Sequence, residues 1–575
     1  MSEVNLGLDR SGNNNHFAVN NLTLAADQVL DSPTNNFCTM NATNNNTVLS
    51  EGNLKSTFTS NAFKTAFGTH LMTSGKWYAE MVVVAHGSGN TSPAFGVATE
   101  VAIGTFGDPE NAGFYIIASN GGVYKNGSEE TGYTAADVGD ILQIAVDIDA
   151  GKIWYGLNNT YIDSGNPATA ANPVTNANLQ TPSVFNMLMY GTANIGVANF
   201  GQDSSFAGNK TSQGNQDGNG FGDFFYAPPS GFLALCTNNL AEPTVDPRNH
   251  FNALVYTGDG ADDRSITGVG FQPDFVWYKE RSQVRYHGLF DILRGVTNIL
   301  SSNVTDVEET ISGVKSFTTD GFTLGTHVGG NEDGETFVAW NWKAGNANTA
   351  FTESGNNPGG IHRANVAAGF SIVSYVGTGA AGTVAHGLGV APEWIFIKNR
   401  GVTDAWAVYY GDNTDYLVLD TNAANADAAT YWNDTSPTSS VFTVNTAHNV
   451  NADGENYIAY CWRSIDGHSK LGSYIGNGSA DGPFTYTGFR PACVFFKGLS
   501  TNHWSIKDIA RNPNNLMDKT LLPTVNNAEE TNREMDFTSN GFKQRDATSG
   551  DLNDDGVTYI YMAFAEIPFK YANAK

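Results

Sequence analysis

The chain has 575 residues, with 30 Lys or Arg against 57 Asp or Glu and a net charge of −27. Only 15 % of residues are charged and 12 % are aromatic, which excludes a disordered chain and argues against helical bundles. The acidic excess repels nucleic acid and anionic membranes, so neither is expected as a partner.

The first residues, MSEVNLGLDRSGNNNHF, carry neither the basic region nor the apolar core of a secretory leader. No run approaches the ~18 apolar residues of a membrane span. Cys38, Cys236, Cys461 and Cys493 are widely spread and form no C-x-x-C pair, so buried free thiols in a reducing cytosol are expected. The next 200 residues are patterned as strands. GKWYAEMVVV (75–84), AFGVA (94–98), GFYIIA (113–118) and GGVYKNG (121–127) come first. VGDILQIAVDIDAGKIWYGLNN (138–159) reads as two long strands joined by a turn at Asp149–Lys152, and ANIGVANFGQ (193–202) closes the set. Many strands with frequent turns predict an antiparallel sandwich.

The rest of the chain repeats. LVYTGDG (254–260), VSYVGTG (373–379) and GSYIGNG (472–478) open three segments. Each continues into a Pro-led apolar strand: GFQPDFVWYKER (270–281), GVAPEWIFIKNR (389–400) and GFRPACVFFKGL (488–499). Tyr256, Tyr375 and Tyr474, then Pro273, Pro392 and Pro491, then Lys279, Lys398 and Lys497 keep offsets of 119 and 99 residues. Each repeat closes on N-x-D-G and an alternating strand, as in NEDGETFVAWNW, NADGENYIAYCW and NDDGVTYIYMAF. Units of roughly 100 residues are large enough for small sandwiches with their own cores. The polar Gly/Asn stretch 346–368 reads as a linker. The predicted fold class is therefore all-β and multidomain. An N-terminal sandwich with its arm occupies 1–226 and a linker 227–248. Repeat 1 is 249–345, a second linker 346–368, repeat 2 369–466 and repeat 3 467–575.

The strands GKWYAEM, AFGVA, VGDILQIAVDIDAGKIWYGLNN and IGVANFGQ together resemble the SPRY domain, a concanavalin A-like β-sandwich, over roughly 35–210. With DRSGNNNHFAVNNL, APPSGFLALCTNNL and the repeats, the whole chain resembles virion proteins of marine tailed bacteriophages. That resemblance implies a non-enzymatic tail fibre or other appendage, assembled in the host cytoplasm into the virion. It implies other virion proteins as partners, a homo-oligomer expected to be a trimer, and a bacterial surface glycan or protein as receptor. SPRY domains are implied to bind through loops at one end of the sandwich. A head-decoration or tail-collar protein is the alternative, and a polysaccharide-degrading enzyme a third.

No catalytic residues, cofactor or firm metal site emerge. Glycoside hydrolysis needs two facing carboxylates, and in AVDIDA Asp147 has no partner at strand spacing because Ala145 holds the first position. No H-E-x-x-H or phosphate-binding G-x-x-x-x-G-K-[ST] occurs. Asn331, Asp333 and Glu335, with Asn451, Asp453 and Glu455, are weak calcium candidates; the competing reading is a hairpin turn. The tryptophans in strand-like runs read as core, while Tyr133, Tyr161 and Phe206 are the loop aromatics offered as ligand contacts. Lys279, Lys398 and Lys497 read as strand-end lysines with solvated heads.

Overall fold

A computed structural model describes residues 12–13, 15–16, 18, 29–32, 34–58, 62–87, 93–100, 102–104, 106, 108, 110–175, 177–547 and 551–571. The N-terminal arm expected before residue 29 lies largely outside the described residues. The architecture is all-β, built from several antiparallel sheets, and the chain divides into two compact units, Met1–Ala241 and Glu242–Lys575.

The first unit is a two-sheet sandwich. One sheet has seven strands in the order Met40–Asn45, Phe63–Gly68, Ser183–Tyr190, Pro93–Thr99, Phe114–Ala118, Val123–Lys125 and Ser128–Glu130. The other centres on Lys76–Ala85, flanked by Ile141–Asp147 and Ile195–Asn199. Strand alternation turns Ala79, Met81, Ile144 and Val146 toward Phe95, Val97, Phe185 and Met187 of the facing sheet. The strands read from sequence are present, including the hairpin Ile141–Asp147 with Lys152–Leu157. The second sheet's other face is also covered. Tyr78, Ala145 and Trp154 pack under Phe224, Phe232 and Ala234, and Leu233–Ala234 adds a parallel pairing to Lys76–Ala85. Residues 227–241 therefore belong to this unit and are not a linker, because the sheet's apolar outer face needs them as cover.

Each repeat of the second unit is a small sandwich. In the first, the strands Phe251–Thr257, Thr336–Trp342, Phe275–Glu280 and Gly288–Asp291 form one sheet, and Arg264–Thr267, Gly321–Leu324 and Val314–Thr318 the other. The second and third repeat this plan with their own inner cores. The Pro-led strands are buried on both faces, as in all six residues of Phe275–Glu280. One face packs inside its own repeat. The other joins a hub to which all three repeats contribute, among them Trp277, Trp340 and Trp342, Trp394, Phe396 and Trp462, and Phe495, Trp504 and Phe564. Ring pairs cross every boundary: Phe275 with Tyr460 at 4.3 Å, Trp277 with Phe495 at 5.6 Å and Phe396 with Trp504 at 5.7 Å.

This corrects two expectations. The repeats are not separate beads; they close into one unit, because an apolar sheet face left open would have to be solvated. The stretch 346–368 is not a linker. It forms a hairpin, Asn348–Phe351 with Gly360–Asn365, that extends the second repeat's sheet through Phe370–Val376.

Candidate functional site

The three repeats interlock cyclically. Trp406 Nε1 of the second donates to Ser301 O of the first at 2.9 Å. Trp504 Nε1 of the third donates to Val418 O of the second at 2.9 Å. His287 takes the same position in the first repeat. Its Nδ1 accepts from Trp277 Nε1 at 2.9 Å, which leaves Nε2–H to donate to Leu522 O of the third at 3.1 Å.

Two of the three boundaries are also clasped by part-buried ion pairs braced by fully buried ones. Between the second and first repeats, Arg400 is bidentate to Glu308 at 3.0 and 2.7 Å. Arg294 reaches both Asp291 and Glu308, and Tyr460 donates to Asp291 Oδ2 at 2.8 Å. Between the first and third, Arg281 is bidentate to Glu529 at 2.9 Å on both arms. Arg511 pairs with Asp508 at 2.6 Å, and Trp340 Nε1 donates to Asp508 Oδ2 at 3.0 Å. Burial raises the pKa of Glu529, but the hydrogen bond from Arg281 and the charge of Arg511 outweigh it and hold the carboxyl below its usual range.

The third boundary lacks this clasp. Tyr410 stands where Asp291 and Asp508 stand, Asn413 replaces the arginine, and Leu499 replaces Arg281 and Arg400. The space the ions would fill is an open cleft of about 590 Å³ lined by those three residues. Trp394, Leu471 and Ile560 line it with apolar surface, and Glu393, Asp412, Ser473 and Thr558 supply oxygens. No Lys or Arg lines it. Asp412 accepts from the backbone N–H of Thr414 at 2.9 Å and from its hydroxyl at 2.8 Å, and the backbone bond first among these keeps the carboxyl below its usual range. The Tyr410 phenol is pushed up by burial and by Asp415, so it stays protonated. An aromatic ring beside fixed carboxylate, amide and hydroxyl groups suits a neutral or cationic hydroxyl-bearing ligand and disfavours an anion.

The residues singled out from sequence are elsewhere and are not gathered together. Asn331 and Asn451 are buried turn clasps. Asn331 Oδ1 accepts from Asp259 N at 3.1 Å and its Nδ2 donates to Ala261 O and Gly325 O. Asn451 does the same with Thr378 N and Ala380 O. Asp333 and Asp453 stand in the turn against Gly260 and Gly379, whose φ values of +65° and +69° require glycine there. Glu335 accepts from Gln283 Nε2 at 2.6 Å, and Glu455 lies beside Gly401. The asparagines' hydrogen-bonding groups are thus committed to backbone, and among the described residues no three His, Cys, Asp or Glu come together to hold a metal.

Phe206 is fully buried in the sandwich core, not exposed on a loop. Tyr161 has a buried hydroxyl without a hydrogen-bond partner and packs against the layer containing Tyr78. Tyr133 is half-buried and bonds Asp163 at 3.0 Å and Glu130 at 3.2 Å. Asp147 is pinned by Lys76 at 3.2 Å and by the N–H of Ala150. The repeat lysines are corrected as well: Lys279, Lys398 and Lys497 are fully buried. Each donates its ammonium to backbone carbonyls, Lys398 to Thr305 O across the repeat boundary, and burial lowers each to about 8. The four cysteines are buried free thiols.

The cleft was missed from sequence, yet the 119-residue offset that aligns the lysines also aligns Asp291 with Tyr410 and Arg294 with Asn413. The signal was present in the departures from the repeat, not in its anchors.

Fold and cleft together define an all-β protein whose second unit is a ring of three related sandwiches with one unfilled boundary. Residues 246–568 match the family model described as Domain of unknown function (DUF7483), and the chain belongs to that family. No curated protein matches it by sequence. Among solved structures, the SPRY domain of human HERC1 is similar at 15 % identity over 29 % of this chain and 95 % of that one, with a TM-score of 0.21. A human SPRY domain is similar at 9 % identity over 27 % and 95 %, TM-score 0.22. The TRIM65 PSpry domain is similar at 12 % over 28 % and 92 %, TM-score 0.22.

Proposed function

We propose that this chain is a non-enzymatic attachment protein, a subunit of a tailed-bacteriophage appendage that contacts a bacterial surface glycan or protein. The observation that carries the reading is the cleft at the boundary of repeats 2 and 3. There the ion clasp is replaced by Tyr410, Asn413 and Leu499, and an open, cation-free surface is left in an otherwise interlocked ring. Assembly into a homotrimer on other virion proteins would present several copies at once. Weak contacts then sum, raising avidity by about 10²–10⁴ over a single site.

The test uses purified full-length protein and the bacterium that the phage infects. Labelled protein should coat the cells and compete with phage adsorption, and Tyr410→Phe, which keeps the ring packed on the hub and removes only the hydroxyl, should weaken both. Absence of both coating and competition by the unmodified protein would overturn the proposal.

A further inference from the structure

A second cavity, of about 330 Å³, opens in the first repeat and is lined in part by Tyr278, Tyr286 and His327. It arises where this repeat departs from its siblings. The hydroxyls of Tyr256, Tyr375 and Tyr474 donate to the carbonyls of Gly330, Val450 and Leu552, which places these three at one position. The facing strand carries Tyr278, Ile397 and Phe496. In the first repeat alone the carbonyl-bearing position has no side chain, and the facing ring carries a hydroxyl. A Cβ on Gly330 would lie 2.7 Å from Tyr278 Cζ and 2.8 Å from its hydroxyl. The missing side chain lets a phenol lie against Gly330 in the interior. Tyr278 is 1 % exposed, and its hydroxyl has no hydrogen-bond partner. Neither has Nδ1 of His327. A buried hydroxyl left unmatched is unfavourable, so such groups mark where something else supplies the partner.

The walls say what that partner is. Arg285 is already paired with Glu332 at 2.7 Å and lies 3.5 Å from Glu280, and Asp306 and Glu309 line the cavity, so an anion is repelled. Burial, and then the charge of Arg285, lower the His327 pKa, so the imidazole is neutral and its free nitrogen is a hydrogen-bonding group without charge. Ile299, Leu300 and Ile311 give one apolar wall. Tyr286, 51 % exposed, offers an aromatic face. The volume is at the small end of the roughly 300–1,000 Å³ typical of small-molecule sites.

We infer that this cavity binds a neutral, hydroxyl-rich ligand the size of one sugar residue, with Tyr278 and His327 reading hydroxyls and Tyr286 lying against the ring. It deepens the attachment reading, on which it rests only for its biological use. The site is separate from the Tyr410 cleft.

The experiment is saturation-transfer NMR on the full chain with free glucose, galactose, mannose and N-acetylglucosamine, followed by titration of whichever sugar responds. At least one should receive saturation from the protein. Tyr278→Phe, which removes only the unmatched hydroxyl, should keep the melting temperature and weaken binding about tenfold or more. Tyr286→Ala, an exposed change, should also weaken it. No transfer to any sugar, transfer that survives both substitutions, or preferential binding of butylamine would overturn the inference. A fall in melting temperature for Tyr278→Phe would do the same, since the hydroxyl would then be structural. Sugar binding without cell coating would support this site while defeating the attachment reading, and cell coating without sugar binding the reverse.

Discussion

Phe495 is the most informative residue to remove. It belongs to the third repeat, is fully buried, and places its ring 5.6 Å from Trp277, 6.3 Å from Trp340 and 6.1 Å from Trp342, all in the first. Phe495→Ala removes a ring from the hub and leaves a cavity that three tryptophans on neighbouring strands cannot fill. Such a change costs about 3–5 kcal/mol. The upper half of that range is expected because each lost aromatic pair is worth about 0.5–1.5 kcal/mol beyond its area. A penalty of about 3–5 kcal/mol is a factor of roughly 10²–10⁴ in the opening equilibrium. Hydrogen exchange followed by mass spectrometry reads where that factor falls. If the repeats share one core, the slowest amides of Phe275–Glu280, Trp394–Asn399 and Thr558–Pro568 should all accelerate together, while those of Pro93–Thr99 in the first unit stay unchanged. Acceleration confined to residues 467–568 would refute the reasoning, since the third repeat would then open alone.

Three further outcomes follow from the contacts. Trp406→Phe puts a smaller ring in a fully buried site and leaves Ser301 O without its donor, and should lower the second unit's stability by at least about 1–3 kcal/mol in urea unfolding. Asn451→Ala should cost a similar amount, about 1–3 kcal/mol, by orphaning Thr378 N and Ala380 O, and a chelator should leave the melting temperature of the unmodified protein unchanged. In the first unit, burial pushes the Glu80 carboxyl up to about 7, against which the N–H groups of Tyr226 and Phe225 act more weakly. A carboxyl raised on folding binds more protons folded than unfolded, so its contribution to stability is largest below about 4.5 and is lost as pH rises to about 7. Glu80→Gln should flatten that slope, measured as exchange in Lys76–Ala85 against pH.

Much of this fold was legible in the sequence. Strand alternation located Lys76–Ala85 and the hairpin after it, because one residue in two points to the core. The repeat anchors also proved structural: Tyr256, Tyr375 and Tyr474 stack on Phe337, Tyr457 and Tyr559 at 5.1, 5.1 and 5.2 Å. The shared hub was harder to read. FVWYK and WIFIK are apolar on both faces, which says a strand is covered twice but not by what. Lys279 looked like a solvated strand end because the sequence does not show the chain turning so that the carbonyls of Glu280 and Gln283 receive its ammonium. Phe206 looked like a loop residue because its neighbours are Ser, Gly and Asn; its burial comes from Phe225 and the rest of the core, which lie far off or are unmarked in the sequence. The cleft and the Tyr278 cavity both lie where one repeat breaks a pattern its siblings keep. Reading the repeat for its exceptions would have found them.

The most direct measurement compares two fragments by circular dichroism and urea unfolding: residues 242–575, and the whole second repeat with its hairpin, residues 346–466, alone. The larger should unfold in one cooperative transition. The smaller should show none, since isolation exposes Trp394, Phe396, Trp406, Tyr460 and Trp462 to water. A cooperative transition in 346–466 by itself would mean that the repeats are independent domains after all.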